Sequence, residues 1–178
     1  MNWKGWDDVH TESNHLINES FARTLVKSLQ GERGHIPIKN AIADIDWELS
    51  GKQIENIPYS IYQLVMHMKY WQDFLLLGLQ GEKPNLPTDV KESWPVENMA
   101  KNQEEWAEII SKFLAGIDTA CTIAQTTKLD APLVQYPDVT RADTLRNIAS
   151  HNSYHLGEIV LLRRLFEAWP PPSGGYPI

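Results

Sequence analysis

Four stretches in which apolar residues recur every three or four positions constrain this chain most strongly. They run from about Val9 to Gln30, from Ser60 to Gly78 or Gly81, from about Glu97 to Ala124, and from Thr140 to the residues before Trp169. This spacing places apolar side chains along one face of an α-helix. No alternating strand pattern competes with these stretches, so we predict an all-α fold, a four-helix bundle with two long connections.

Local signals mark several helix ends. Gly31 is a stop after the first stretch, since glycine readily adopts the conformation that ends a helix. Ser60 followed by Gln63 predicts a capping box at the start of the second helix, and Thr140 with Asp143 three residues later is a good start for the fourth.

Proline and glycine punctuate the connecting segments. Pro37 predicts entry into one short helix that carries Ile38, Ala41, Ile42 and Ile45. Prolines forbid a continuous helix between Glu82 and Val96, which we predict to be a loop packed by Trp94, and Pro132 and Pro137 mark a second loop. The extended tail that begins at Trp169-Pro170-Pro171-Pro172 is predicted to pack along the bundle, in preference to acting as a proline-rich ligand.

Size and charge bound the classes of function. The 178 residues fit a single domain, 1–178, and the net charge of -7 from 16 basic and 23 acidic residues argues against binding to nucleic acid or anionic membranes. The single Cys121 fits a reducing compartment and falls in an apolar helical series, where a thiol behaves as a small buried hydrophobe. No signal peptide or membrane span is evident, so we expect a cytoplasmic protein.

Three of the six histidines fall in apolar helical stripes. His151 and His155 are four residues apart on one face of the fourth helix, and His67 lies in the equivalent stripe of the second. One divalent ion would satisfy a nitrogen of each ring, whereas three buried imidazoles without an ion need several separate partners. We therefore predict a metal site, with His10, His15 and His35 expected to be solvated or loop residues.

The same residues do not match three known metal motifs. A zincin needs glutamate directly after the first histidine of the pair, where this chain has Asn152. A di-iron bundle needs two E-x-x-H pairs, and only Glu12 with His15 fits; the C-x-x-C-H motif of c-type haem is absent. The interpretation that remains is a metal site with three protein ligands and one open coordination position.

Glu158 follows His155 by three residues and lies on the same face. Three roles stay open for it: a fourth ligand, an acceptor that orients an imidazole, or a general base, which makes it the candidate catalytic residue. A plain salt bridge to Arg163 or Arg164, or a solvent-facing carboxylate, is the alternative without function.

Two strings and the end of the chain resemble a known family. The segments 59–68 (YSIYQLVMHM) and 151–160 (HNSYHLGEIV), followed by Leu162-Arg163-Arg164 and the prolines after Trp169, are similar to the DinB-like, YfiT-type superfamily of metalloenzymes. The resemblance implies a four-helix bundle with a divalent metal held by His67, His151 and His155. Relatives include transferases that use low-molecular-weight thiols such as bacillithiol, a mycothiol-dependent isomerase and metal-dependent hydrolases. Members often have glutamine at the position of Glu158, and the resemblance implies no DNA chemistry.

The sequence thus leads to a mononuclear enzyme in which a divalent ion activates water or a low-molecular-weight thiol for transfer to, or hydrolysis of, a small-molecule substrate. Zinc is the first expectation, with nickel or iron as substitutes. The rival interpretations are a non-catalytic bundle that binds a metal or small ligand, and a packed scaffold without metal. A homodimer is expected from the resemblance and from tryptophans outside the long helices, among them Trp3, Trp6 and Trp47.

Overall fold

Six α-helices and one short hairpin make up the computed structural model, which describes the backbone of residues 5–176 and the side chains of residues 18–176. The four long helices are α1 (Gly5–Gln30), α4 (Ile61–Leu79), α5 (Gln103–Thr126) and α6 (Arg141–Leu165). The connections hold α2 (Ile38–Ala41), α3 (Trp47–Gly51), a 3₁₀ turn η1 (Val90–Ser93) and strands β1 (Pro132–Leu133) and β2 (Tyr136–Thr140). The predicted all-α bundle is confirmed.

Two predicted helix starts are confirmed and one is shifted. Ser60 and Thr140 each form a capping box, with Gln63 and Asp143 respectively. The third long helix begins at Gln103, not near Glu97, because the Asn102 side chain accepts a hydrogen bond from the backbone N–H of Glu105 and caps it there. The spacing of apolar residues, from which the start near Glu97 was predicted, carries no information about this cap.

The four long helices enclose one apolar core. Helix α1 packs on α5 and α6, and α4 also packs on both of them. The core contains large side chains from every helix of the bundle, including Leu29, Met68, Phe113, Leu145 and Ile159. Phe21 is in the i, i+4 series of Leu25 and Leu29, a spacing that predicts burial, but it is 46% exposed. It lies at the edge of the buried face, which at about 100° per residue is centred between Leu25 and Val26.

Strands β1 and β2 form an antiparallel hairpin where a plain loop was predicted. Pro132 is paired with Thr140 and Leu133 with Tyr136, with an irregularity between the two pairs. Side-chain bonds dock the hairpin on α4, since the Gln135 amide donates to the carbonyls of Gly78 and Glu82. The strands are too short for a periodic pattern, and this long-range contact is invisible to local sequence signals.

The tail after α6 packs against the bundle, as predicted. Pro171 is buried, and the ring of Trp169 lies under the guanidinium groups of Arg163 and Arg164 at 5.6 and 5.4 Å from its centroid.

Cys121 is buried, and burial together with nearby Asp118 raises the pKa of its thiol to about 11, in keeping with an inert core residue. None of the described helices combines the length and apolar character needed to cross a bilayer.

Candidate metal centre

Three histidines converge from α4 and α6. The ligand nitrogens of His67, His151 and His155 all lie within 4.8 Å of one another. The Nε2 atoms of His67 and His151 face each other at 3.3 Å, and the ring centroids of His151 and His155 are 4.6 Å apart. His67 and His155 are buried and His151 is partly buried. These are the three residues that the sequence analysis singled out.

Hydrogen bonds on the far side of two rings assign their tautomers. The Nδ1 of His67 lies 3.3 Å from the carbonyl oxygen of Ser93, which only accepts, so this Nδ1 carries a proton. The Nδ1 of His155 lies 2.6 Å from Oε2 of Glu158, and an ionised carboxylate likewise only accepts. In the neutral rings each Nε2 therefore presents a lone pair toward the centre of the group.

Burial keeps two of the rings neutral. The pKa of His67 is lowered to about 4, first by desolvation and second by the neighbouring His155, although the bond to the Ser93 carbonyl opposes the shift. The pKa of His151 is also lowered to about 4 by desolvation and by the other two histidines. Neutral imidazole is the form that binds metal ions, so His67 and His151 are in their ligating state well below neutral pH.

The donor set fits a divalent transition metal. Two nitrogens bound at 2.0–2.1 Å to a tetrahedral ion are about 3.3 Å apart, which matches the separation of the two Nε2 atoms of His67 and His151. Converging lone pairs in a poorly solvated place repel one another unless a cation or a proton lies between them. Imidazoles suit zinc, nickel, iron and copper, and three of them leave a tetrahedral ion one open position.

Glu158 contacts the outer side of this group. Its carboxylate holds Nδ1 of His155, and it is not among the residues whose ligand atoms cluster. This is the arrangement of a carboxylate that orients a ligating histidine and raises its basicity, one of the three roles left open by the sequence. A role as base or fourth ligand would require the carboxylate to leave Nδ1.

Trp94 contacts the histidine group, which the sequence patterns did not predict. Its ring stacks on His67 at 3.8 Å and 10°, and on Tyr59 at 3.9 Å and 13°, so that it lies between the two rings. The 3₁₀ turn that precedes it also supplies the Ser93 carbonyl. The only signal in the sequence was a tryptophan before Pro95 in a polar loop, which indicated packing and gave no partner.

A buried amide pair beside the histidines links three helices. The Gln72 side chain donates to the Phe113 carbonyl of α5 at 2.9 Å and accepts from the Asn152 amide of α6 at 3.1 Å. Gly116 makes room, since a Cβ there would lie 2.1 Å from Nε2 of Gln72. Because Asn152 follows His151 directly, this pair fixes the register of α4 against α6 at the level of the histidines.

The remaining histidines stand apart from the group. His35 lies in the connection after α1 and contacts Ser153 Oγ through Nε2 at 2.8 Å and the Ile36 carbonyl through Nδ1 at 2.7 Å. It ties this connection to α6 and is more than a solvated loop residue. The predictions for His10, His15 and Glu12 concern residues outside those whose side chains are described, as do the predictions for Trp3 and Trp6.

The fold and the site together define a class: all-α proteins with a buried group of three histidines, from two helices of a bundle, that can hold a divalent metal. The chain belongs to the DinB superfamily, whose family model matches residues 15–159. That range includes all three histidines and Glu158, in agreement with the resemblance. Comparison with curated proteins and with solved structures found no match.

Proposed function

We propose that this protein is a mononuclear metalloenzyme in which His67, His151 and His155 bind one divalent ion, with zinc the first expectation. The observation that carries the proposal is the convergence of three imidazoles within 4.8 Å, with no carboxylate of the described side chains close enough to join the group as a fourth ligand. A purely structural ion would normally have four protein ligands, so the open position favours catalysis over the non-catalytic rival.

A bound ion supplies Lewis acidity, which lowers the pKa of a coordinated water or thiol toward neutral pH. The side chains around it supply orientation. Glu158 keeps the proton of His155 on Nδ1, the Ser93 carbonyl does the same for His67, and the Trp94 ring covers one face of His67 against water. Substrate and nucleophile then approach from the side of His151, the most exposed of the three rings.

Two reactions share this first step, hydrolysis of a small substrate and transfer of a low-molecular-weight thiol to an electrophile. The family resemblance favours thiol transfer. Screening thiol conjugation against hydrolysis of small esters and amides distinguishes the two, and a protein that binds metal but is inactive in every assay would support the non-catalytic rival.

Metal analysis of protein purified without an affinity tag tests the site directly. We expect about one ion per chain after loading with zinc, and loss of that ion in His67→Ala and His151→Ala. His35→Ala is the matched control, because it removes a histidine outside the group and should leave the stoichiometry unchanged. Substoichiometric metal in the wild type after loading with zinc, nickel, iron and manganese salts would refute the proposal.

Activity of Glu158→Gln separates the two remaining roles of the carboxylate. A base is lost in this variant, so turnover should disappear while the metal stays at full stoichiometry. Turnover that falls only in proportion to metal occupancy instead assigns Glu158 to the orientation of His155.

A further inference from the structure

A cavity of about 530 Å³ lies between α4, the hairpin and the first turns of α6. Its wall is largely apolar, with Phe74 and Leu75 from α4 and Leu133, Tyr136 and Val139 from the hairpin segment. The volume falls in the range of small-molecule sites, which combine an apolar wall with a few polar groups.

This cavity lies near the histidine group along the contact between α4 and α6. At about 100° per residue, Phe74 lies within about 20° of His67 on α4, two turns further along the chain. Asn147 lies within about 40° of His151 on α6, one turn earlier, which corresponds to a rise of about 6 Å. The two helices run antiparallel, since Arg141 at the start of α6 bonds the Leu79 carbonyl at the end of α4. The cavity and the histidine group therefore lie at neighbouring levels of the contact between α4 and α6.

The polar groups of the cavity favour a neutral ligand. Its charged lining groups are Asp138, Asp143 and Arg146, which sum to one negative charge and disfavour an anion. Asp143 is already engaged in the cap at Thr140. Asn147 is exposed and, among the described residues, has no hydrogen-bond partner, so its amide is free both to donate to and to accept from a ligand carbonyl or amide.

We propose that this cavity binds the body of the substrate, a small neutral molecule with an aromatic or branched apolar part and a carbonyl or amide group directed to Asn147. The apolar part contacts Phe74, Tyr136 and Val139, and the reacting end extends from Asn147 toward His151, one turn further along α6. The assignment of a reacting end rests on the proposed metalloenzyme function, whereas binding to the cavity requires no metal.

Fluorine NMR titration of the metal-free full chain with para-trifluoromethylbenzamide tests the binding. We expect saturable binding that Val139→Trp, which fills the cavity, weakens at least tenfold. Val134→Trp is the matched control, because it makes the same change on the same hairpin at a side chain that is 84% exposed and outside the lining. Asn147→Ala should weaken binding by roughly threefold to tenfold, the range for one lost hydrogen bond. This variant tests the site without requiring the protein to tolerate a bulky substitution.

Three results would overturn the proposal: no saturable binding by the wild type, equal affinity in the Val139→Trp and Val134→Trp variants, or para-trifluoromethylbenzoate binding as tightly as the neutral amide. Loading the protein with Mn²⁺ then tests whether the cavity and the proposed metal site lie close to each other. The fluorine relaxation of bound benzamide should increase strongly in the wild type and stay unchanged in His151→Ala. Failure to load manganese counts against the metal site alone, while a loaded protein without relaxation enhancement refutes the proposed proximity of the ligand to the histidines.

Discussion

His67 and His155 present one ring nitrogen each to a common centre because a hydrogen-bond acceptor holds the proton on the other nitrogen. The acceptors differ in kind: a backbone carbonyl for His67 and a partly exposed carboxylate for His155. A charged acceptor makes a stronger bond and increases the basicity of the ring it holds. At the scale of single residues, we therefore expect Glu158 to be the main influence on metal affinity at the proposed site.

Glu158→Gln should keep one metal ion per chain but weaken zinc binding by about tenfold, since the uncharged amide oxygen still accepts from Nδ1 but without the carboxylate's charge. Competition with a chromophoric chelator measures this affinity. Glu108→Gln is the control, because Glu108 lies on the exposed surface of α5 in an ion pair with Lys112. Identical affinities in the two variants would show that the contact with His155 has no influence on the metal.

The lowered pKa values of His67 and His151 predict a pH dependence of stability for the metal-free protein. Both fall from 6.5 to about 4 in the folded state, so the unfolded chain binds more protons between these values. The free energy of unfolding should therefore decrease as the pH falls from about 6.5 to about 4, by at most about 1.4 kcal/mol per pH unit for each histidine.

Urea unfolding at several pH values, compared between the wild type and His151→Leu, isolates this contribution from that of the carboxylates. The slope of stability against pH should be smaller in the variant within that window. Parallel curves would mean that His151 does not titrate differently in the folded and unfolded states.

Trp94 should stabilise the metal-bound form of His67, since a ligating imidazole carries partial positive charge and the indole face is electron-rich. Trp94→Leu should weaken zinc affinity by roughly threefold to tenfold, in line with the energy of an aromatic pair, and Trp94→Phe should recover most of it. Trp169→Leu, in the tail, serves as the control for tryptophan removal. Equal zinc affinity in the Trp94→Leu and Trp94→Phe variants would show that Trp94 only fills space and that its aromatic character has no influence on the metal.

At the scale of helices, the close approach of α4 to α5 sets the position of His67. Gly116 permits this approach, because any side chain there would meet the amide of Gln72. The same amide bonds Asn152 and so couples α6 to both helices.

Gly116→Ala should lower the free energy of unfolding by about 1–3 kcal/mol, the usual cost of overpacking, and should also weaken zinc binding by shifting α4. The control is Gly157→Ala on α6, where an added Cβ meets nothing within 4 Å. This second variant should be neutral or up to about 1 kcal/mol more stable, because alanine favours the helix. Chemical denaturation measures both, and a Gly116→Ala protein as stable as the wild type would contradict the argument.

At the scale of the whole molecule, one buried arginine joins the connections to the bundle. Arg163 is fully buried and donates to the carbonyls of Ala41, Ala43 and Ala168 and to the carboxylate of Asp44, at 2.6 to 3.0 Å. These acceptors lie at the end of α2, in the segment that follows it and in the tail, so one side chain of α6 holds all three.

Arg163→Met should cost about 3–5 kcal/mol of stability, because it leaves several buried acceptors without a donor. Arg164→Met, the same change one residue later at an exposed position, should cost less than about 1 kcal/mol. Thermal unfolding followed by circular dichroism compares the two, and equal losses would show that the buried network adds little.

Sequence alone was enough to predict the four long helices, the caps at Ser60 and Thr140, and the three histidines on facing stripes. Each of these depends on residues a few positions apart, where periodicity and capping chemistry act locally. Tertiary structure alone decided that Trp94 stacks on His67, that Glu158 faces Nδ1 of His155, that Arg163 and not Arg164 is buried, and that the 132–140 segment folds as a hairpin with a cavity behind it. These outcomes depend on contacts between distant segments, or on which of two neighbouring side chains the packed core desolvates, and local patterns carry no information about either.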